Sequence, residues 1–155
     1  MYTIPKTHIE DIRIRTLLDD SYGNADLQIT CKTVGEGKVR VTLKDGEEAV
    51  IQTEAMLEKE LTILQNVKEP ALWSAEEPNL YELLLEVLDE RDNVVEVISQ
   101  MIGFRRFEMK NHIMQINGKR IVFKGVNRHE FSSKTGRAVT DEEILKDIMT
   151  MKRNN

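Results

Sequence analysis

Val39-Arg40-Val41-Thr42-Leu43-Lys44-Asp45-Gly46 is the stretch whose reading decides the fold. Its apolar residues occupy every second position with polar residues between them, which is the pattern of a strand with one face in a core and the other in water. The Asp-Gly pair that ends it favours a hairpin, because glycine accepts positive φ at no steric cost. Ala49, Ile51 and Thr53 resume the alternation on the far side of the turn. Upstream, Leu27, Ile29, Cys31 and Thr33 alternate with Gln28, Thr30 and Lys32. Downstream, Leu61, Ile63, Gln65 and Val67 share a face, then Tyr81, Leu83, Leu85 and Val87. Asp89 to Asn93 makes a polar turn, and Val95 and Val97 lie in the last strand of the set. About seven short strands between Ile9 and Phe104 predict an antiparallel, immunoglobulin-like β-sandwich, which takes about 100 residues. The single cysteine, Cys31, leaves no inter-sheet disulfide and reads as a small buried apolar filler.

Composition narrows the function classes. Apolar residues make up 40% and charged residues 32% of the 155, a balance that suits a globular protein and argues against wholesale disorder. The net charge of −5 gives no electrostatic footprint for nucleic acid. No apolar run approaches the roughly 18 to 20 residues that span a bilayer. The N-terminal Met1-Tyr2-Thr3-Ile4-Pro5-Lys6 lacks the apolar stretch of a secretory signal, so the expected setting is the cytoplasm. One thiol cannot build a cysteine zinc site, and His8 and His112 form no metal-pair pattern. Gly35-Glu36-Gly37 lacks the remainder of a phosphate loop, and no nucleophile elbow is present.

After Phe104 the rhythm changes. Glu108 to Gln115 leads into Asn117-Gly118, a second hairpin signal. Arg120 to Val126 reads as a strand, and its run Ile121-Val122-Phe123 is apolar enough to predict burial on both faces. A polar loop follows from Asn127 to Val139. Thr140-Asp141-Glu142-Glu143 then opens a helix with a capping box and acidic residues at its positive end. Ile144, Leu145, Ile148, Met149 and Met151 give that helix an apolar stripe. A buried strand, a loop and an amphipathic helix make one βα unit, which needs sheet neighbours on both sides. Residues 105–155 are therefore expected to begin a larger domain, and residues 1–104 to form the sandwich.

Three segments in this order resemble the β-galactosidases of glycoside hydrolase family 2. They are Pro70-Ala71-Leu72-Trp73-Ser74-Ala75-Glu76-Glu77-Pro78-Asn79-Leu80-Tyr81, then Ile102-Gly103-Phe104-Arg105-Arg106, then Asn117-Gly118-Lys119 continuing through Gly125-Val126-Asn127-Arg128-His129-Glu130 to Met151-Lys152-Arg153-Asn154-Asn155. The resemblance implies a sandwich followed by the first βα unit of a (β/α)8 barrel, with Arg120–Val126 as first strand and Thr140–Arg153 as first helix. A whole barrel takes roughly 250 residues, so most of it falls outside this sequence. The Gly136-Arg137-Ala138-Val139-Thr140 stretch looks more like galactosidases than like the β-glucuronidases and β-mannosidases that share the architecture. A stand-alone carbohydrate- or protein-binding sandwich is the reading from a different class.

Asn127 to Glu130 is the site-like segment. It lies past the C-terminal end of the expected barrel strand, the face on which such barrels build their sites. The resemblance implies that His129 faces a galactose pocket in the intact enzyme. Asn127, Arg128 and Glu130 support it, with Arg128 and Glu130 pairing with each other or with neighbouring loops. Trp73 is expected to pack on the sandwich rim among Leu72, Leu80 and Tyr81 rather than to serve as a sugar platform. Glu47, Glu48, Glu58, Glu60, Glu76 and Glu77 read as surface charge. The resemblance puts the acid/base, the nucleophile and the magnesium ligands of the family beyond Asn155, so no catalytic and no metal residue is assigned, and this chain alone is expected to be inactive. For the parent enzyme it implies magnesium and a monovalent cation, a β-galactoside substrate, the rest of the barrel in the same chain or a second subunit, and a homo-oligomer.

Overall fold

The computed structural model describes residues 3–154; Met1 and Tyr2 of the N-terminal segment and Asn155, the last residue of the third motif, lie outside the described residues. The chain divides into two compact units, Met1–Ile121 and Val122–Asn155.

The first unit is a two-sheet antiparallel sandwich with a short meander attached. Strands β1 (His8–Leu18), β2 (Asn24–Val34) and β5 (Glu60–Lys68) form one sheet in the order β1-β2-β5. Strands β3 (Lys38–Asp45), β4 (Glu48–Met56), β6 (Tyr81–Leu88) and β7 (Val94–Ile102) form the other in the order β4-β3-β6-β7. Cross-strand register explains which face is buried. Ile29 lies opposite Ile14 and Ile63, and Val41 lies opposite Leu85 and Thr53. The inward set therefore stacks in layers: Leu27, Ile29 and Cys31 face Val39, Val41, Leu43, Leu83, Leu85 and Val87, each buried almost completely. The outward set of β3 is charged and paired. Arg40 Nε meets Glu54 at 2.8 Å, and Lys38 Nζ lies 2.9 Å from Asp92 and 3.1 Å from Glu54.

Two hairpins of the sandwich, β1–β2 and β6–β7, close in the same way. The Asp19 carboxylate accepts from the backbone N–H groups of Ser21, Gly23 and Asn24, and that of Asp89 accepts from those of Arg91 and Asn93. Both carboxyls are held below the usual aspartate range. For Asp19 the Ser21 hydroxyl is the largest cause, and for Asp89 the backbone N–H of Asn93.

Three further strands follow: β8 (Phe107–Lys110), β9 (Ile113–Ile116) and β10 (Lys119–Arg120), paired in the order β10-β9-β8. Two turns make this meander. Asn117-Gly118 is the expected one, with φ of 50° and 74°. The other, Asn111-His112, also has positive φ at both positions, and it splits what reads in sequence as the single run Glu108–Gln115. Asparagine and histidine are among the few side chains that tolerate this region, so the turn carries no glycine to announce it.

In the second unit α1 (Asp141–Arg153) forms as expected, with Thr140 as N-cap and the capping box complete. Arg120–Val126 does not form the expected strand. Pairing stops at Arg120, and residues 121–130 carry no ladder. Val122, Phe123 and Val126 are 66%, 70% and 70% exposed, against the expected burial on both faces. A parallel strand is held by neighbours on both sides, and the described residues supply none. The apolar stripe of α1 is likewise uncovered: none of its residues is buried. No helix among the described residues is long and apolar enough to cross a membrane.

Candidate functional site

The three motifs that carry the family resemblance meet in space at the end of the sandwich, as far as their parts in the first unit are concerned. The Trp73 backbone N–H donates to the Phe104 carbonyl at 2.9 Å, and the Trp73 carbonyl accepts from the Asn117 side-chain amide at 3.0 Å. Asn117 also accepts from the Arg106 backbone N–H through Oδ1 at 2.9 Å and donates its own N–H to the Arg106 carbonyl at 2.9 Å. One asparagine side chain therefore joins all three motifs. Phe104 is fully buried and meets Tyr81 edge to face with centroids 5.1 Å apart, while the Tyr81 hydroxyl accepts from the Ala71 N–H.

Trp73 is half-buried, and the Arg105 guanidinium lies 4.4 Å from its ring centroid. A ring face covered by a guanidinium is not presented to a sugar, which supports the packing role. Leu80 departs from the expected burial around it, at 45% exposure. Beside this junction Arg106 stacks on Tyr22 at 4.6 Å and reaches the Leu18 and Asp19 carbonyls and Asp20. The Tyr22 hydroxyl donates to Glu108, and this bond, followed by the Arg106 charge, holds the Glu108 carboxyl below its usual range.

The polar loop of the second unit holds the candidate site residues. Asn127, His129 and Glu130 are exposed, and Arg128 is half-buried. Arg128 does not pair with Glu130. Its Nε and Nη2 donate to Oδ2 of Asp147 on α1, at 3.0 and 2.8 Å. Nothing in the sequence pattern singles out Asp147 as the partner of Arg128; its one signal is its place four residues after Glu143 on one helix face. Four residues beyond Arg128, buried Ser132 donates its hydroxyl to Glu143 Oε1 at 2.8 Å. The other Glu143 oxygen accepts from the Thr140 N–H at 3.0 Å. That bond, and then the Ser132 hydroxyl, hold the Glu143 carboxyl below its usual range. The His129 and Glu130 side chains make no hydrogen bond or ion pair among the described residues.

Among the described residues no three His, Cys, Asp or Glu side chains converge in a metal-ligating group. Glu47, Glu48, Glu58, Glu60, Glu76 and Glu77 are all exposed, as surface charges are. His8 Nδ1 lies 2.9 Å from the Pro5 carbonyl, and His112 occupies a turn.

The sequence profile of Glycosyl hydrolases family 2 matches residues 7–105, and that of Glycosyl hydrolases family 2, TIM barrel domain, matches residues 107–155. The chain belongs to glycosyl hydrolases family 2. It is 50% identical over its whole length to a protein named Beta-galactosidase from Halalkalibacterium halodurans, covering 16% of that protein, and 47% identical to a Beta-galactosidase of Streptococcus thermophilus, again covering 16%. The chain thus spans about a sixth of the length of these curated relatives. Among solved structures, beta-glucuronidase 3 of Bacteroides uniformis is similar with a TM-score of 0.81 at 26% identity, over 96% of this chain and 19% of that one.

Proposed function

We propose that this chain is the sandwich and the barrel entry of a retaining β-galactosidase that hydrolyses terminal β-D-galactosides. The observation that carries the reading is the 50% identity to a protein named Beta-galactosidase across all of this chain, against 26% to a beta-glucuronidase of the same fold. Retaining hydrolysis needs a protonated carboxyl and an ionised one about 5 to 5.5 Å apart across the scissile bond. Both are assigned to the remainder of the enzyme, and this chain supplies the wall of the sugar pocket. His129 is the substrate-binding residue, able to donate to or accept from a sugar hydroxyl, and Asn127, Arg128 and Glu130 support it. The functional division is placed at residues 104/105, with the sandwich as buttress.

Magnesium and the monovalent cation belong to the same reading. The family resemblance, and not this structure, is what assigns both to the rest of the enzyme, and no step is derived through them. A homo-oligomer in the cytoplasm completes the proposal.

The test is turnover of nitrophenyl β-D-galactoside and β-D-glucuronide by the full-length enzyme and by this chain alone. Turnover of the galactoside by the long protein and of neither substrate by the short one is the expected result. Preference for the glucuronide would favour the second reading, which the likeness to solved glucuronidases motivates. Turnover by the short chain would overturn the assignment of the carboxylates.

A further inference from the structure

Two tethers run from the loop to the helix, and they bracket His129. Arg128 lies immediately before it and bonds Asp147 at 3.0 and 2.8 Å; Ser132 lies three residues after it and bonds Glu143 at 2.8 Å. The two anchors on the loop are four residues apart, and so are the two on the helix, where a separation of four places both carboxylates on one face a turn apart. The order is antiparallel: the earlier loop residue takes the later helix residue. The Ser132–Glu143 tether is also fixed at both of its ends. Ser132 exchanges backbone bonds with Gly136 at 2.7 and 2.9 Å, which closes the turn after it, and Glu143 is tied to Thr140 by the capping box. Residues 129–131 are the part of this loop left between two fixed points, in a segment with no ladder of its own.

We propose that Asp147 and Glu143 are positioning residues for His129: the helix face holds the loop at Arg128 and Ser132 and so sets where the His129 ring stands. The proposal rests on the reading of His129 as a sugar-pocket residue. It assigns no contact with substrate to either carboxylate. The arginine tether is charged at both ends and places two N–H donors on one carboxylate oxygen, whereas the Ser132 tether has a neutral donor, so loss of Asp147 has the larger effect. A loop residue displaced by a fraction of an ångström loses its hydrogen bond to a bound sugar, while the carboxylates that perform the chemistry are untouched. Binding therefore suffers before turnover does.

The experiment uses the full-length enzyme with Asp147→Asn, Asp147→Glu and Glu143→Gln, assayed on nitrophenyl β-D-galactoside and β-D-glucuronide. Amide hydrogen exchange of residues 129–131 and the unfolding temperature are measured alongside. For Asp147→Asn the expected result is a KM about tenfold higher with kcat within about twofold of wild type, together with faster exchange at 129–131. Asp147→Glu, which restores the charge, recovers most of the KM. Wild-type KM and wild-type exchange in Asp147→Asn would overturn the proposal. So would lower activity at unchanged KM with a matching loss of folded protein, because that is a purely structural role. If wild type cleaves only the glucuronide, the galactosidase reading fails while the KM comparison is made on the glucuronide. If it cleaves neither, exchange at 129–131 alone decides.

Discussion

Gly103 stands so close to Trp73 that a Cβ there would lie 2.9 Å from the Trp73 Cβ and 3.0 Å from the ring. The neighbour is itself pinned, at its N–H by Phe104 and at its carbonyl by Asn117, so it has little room to give. Gly103→Ala is expected to destabilise the sandwich by about 1–3 kcal/mol, the usual cost of overpacking, read as a lower midpoint in urea at unchanged slope. Cys31 is the opposite kind of residue, filling a site without strain. Burial, with the Asp11 charge as a smaller cause, pushes its thiol up to about 11, so almost no thiolate exists near neutral pH. A thiol reagent at pH 8 is expected to label no cysteine in the folded chain and one per chain in denaturant; labelling of the native protein would contradict the placement of Cys31 in the core. Burial of Cys31 was legible from its place in an alternating run. The guanidinium over Trp73 was not, because Arg105 reaches the ring from a segment more than thirty positions later and nothing periodic links the two.

Helix α1 shows what an element retains without a covered face. Its start is specified locally: Thr140 accepts from the Glu143 N–H, and Glu143 accepts from the Thr140 N–H. These contacts favour the ionised carboxylate, so the Glu143 value is lower in the folded state than in the unfolded one. The resulting stabilisation is fully present above the ordinary glutamate range, near 4.3, and is lost as pH falls through the lower folded value. An acid titration followed at the Thr140 amide resonance is expected to show a midpoint below that of a free glutamate. Glu143→Gln, which keeps the acceptor and removes the charge, is expected to abolish the transition; a midpoint at the ordinary value would mean that the box is not formed in solution. Caps and Asp-Gly turns are legible because the signal lies within four residues. The Asn111-His112 turn was not, since neither residue is glycine, and the ladder expected for Arg120–Val126 failed because strand pairing is a property of neighbours rather than of the segment. The same limit governs the site. His129 was read from a motif, whereas the partner of Arg128 was found only once the helix face carrying Asp147 was in place.

At the scale of the whole molecule the two units differ in how they are held. In Met1–Ile121 the apolar faces of two sheets cover each other, and the meander is tied back through Asn117, Arg106, Tyr22 and Glu108. Residues 105–121 therefore belong to the stable part, although the family profile of the barrel begins at 107. In Val122–Asn155 the organisation is local, consisting of a capped helix, a closed turn at Ser132–Gly136 and the Arg128–Asp147 pair, with Ser132 the residue that is buried among those described. Local hydrogen bonds around solvent-exposed backbone resist opening far less than a ladder behind a dry core. In the isolated chain, amides of β2, β3 and β6 are expected to exchange only through global unfolding, and those of β8 and β9 to be protected as well. Amides from Val122 to Asn154 are expected to exchange faster, those of α1 included. Within the full-length enzyme, where further barrel elements are expected to cover the apolar stripe of Leu145, Ile148 and Met149, the α1 amides are expected to slow towards sandwich values. Protection of α1 equal to that of β3 in the isolated chain would mean that this helix is covered without the rest of a barrel, and the assignment of Val122–Asn155 as a barrel entry would fall.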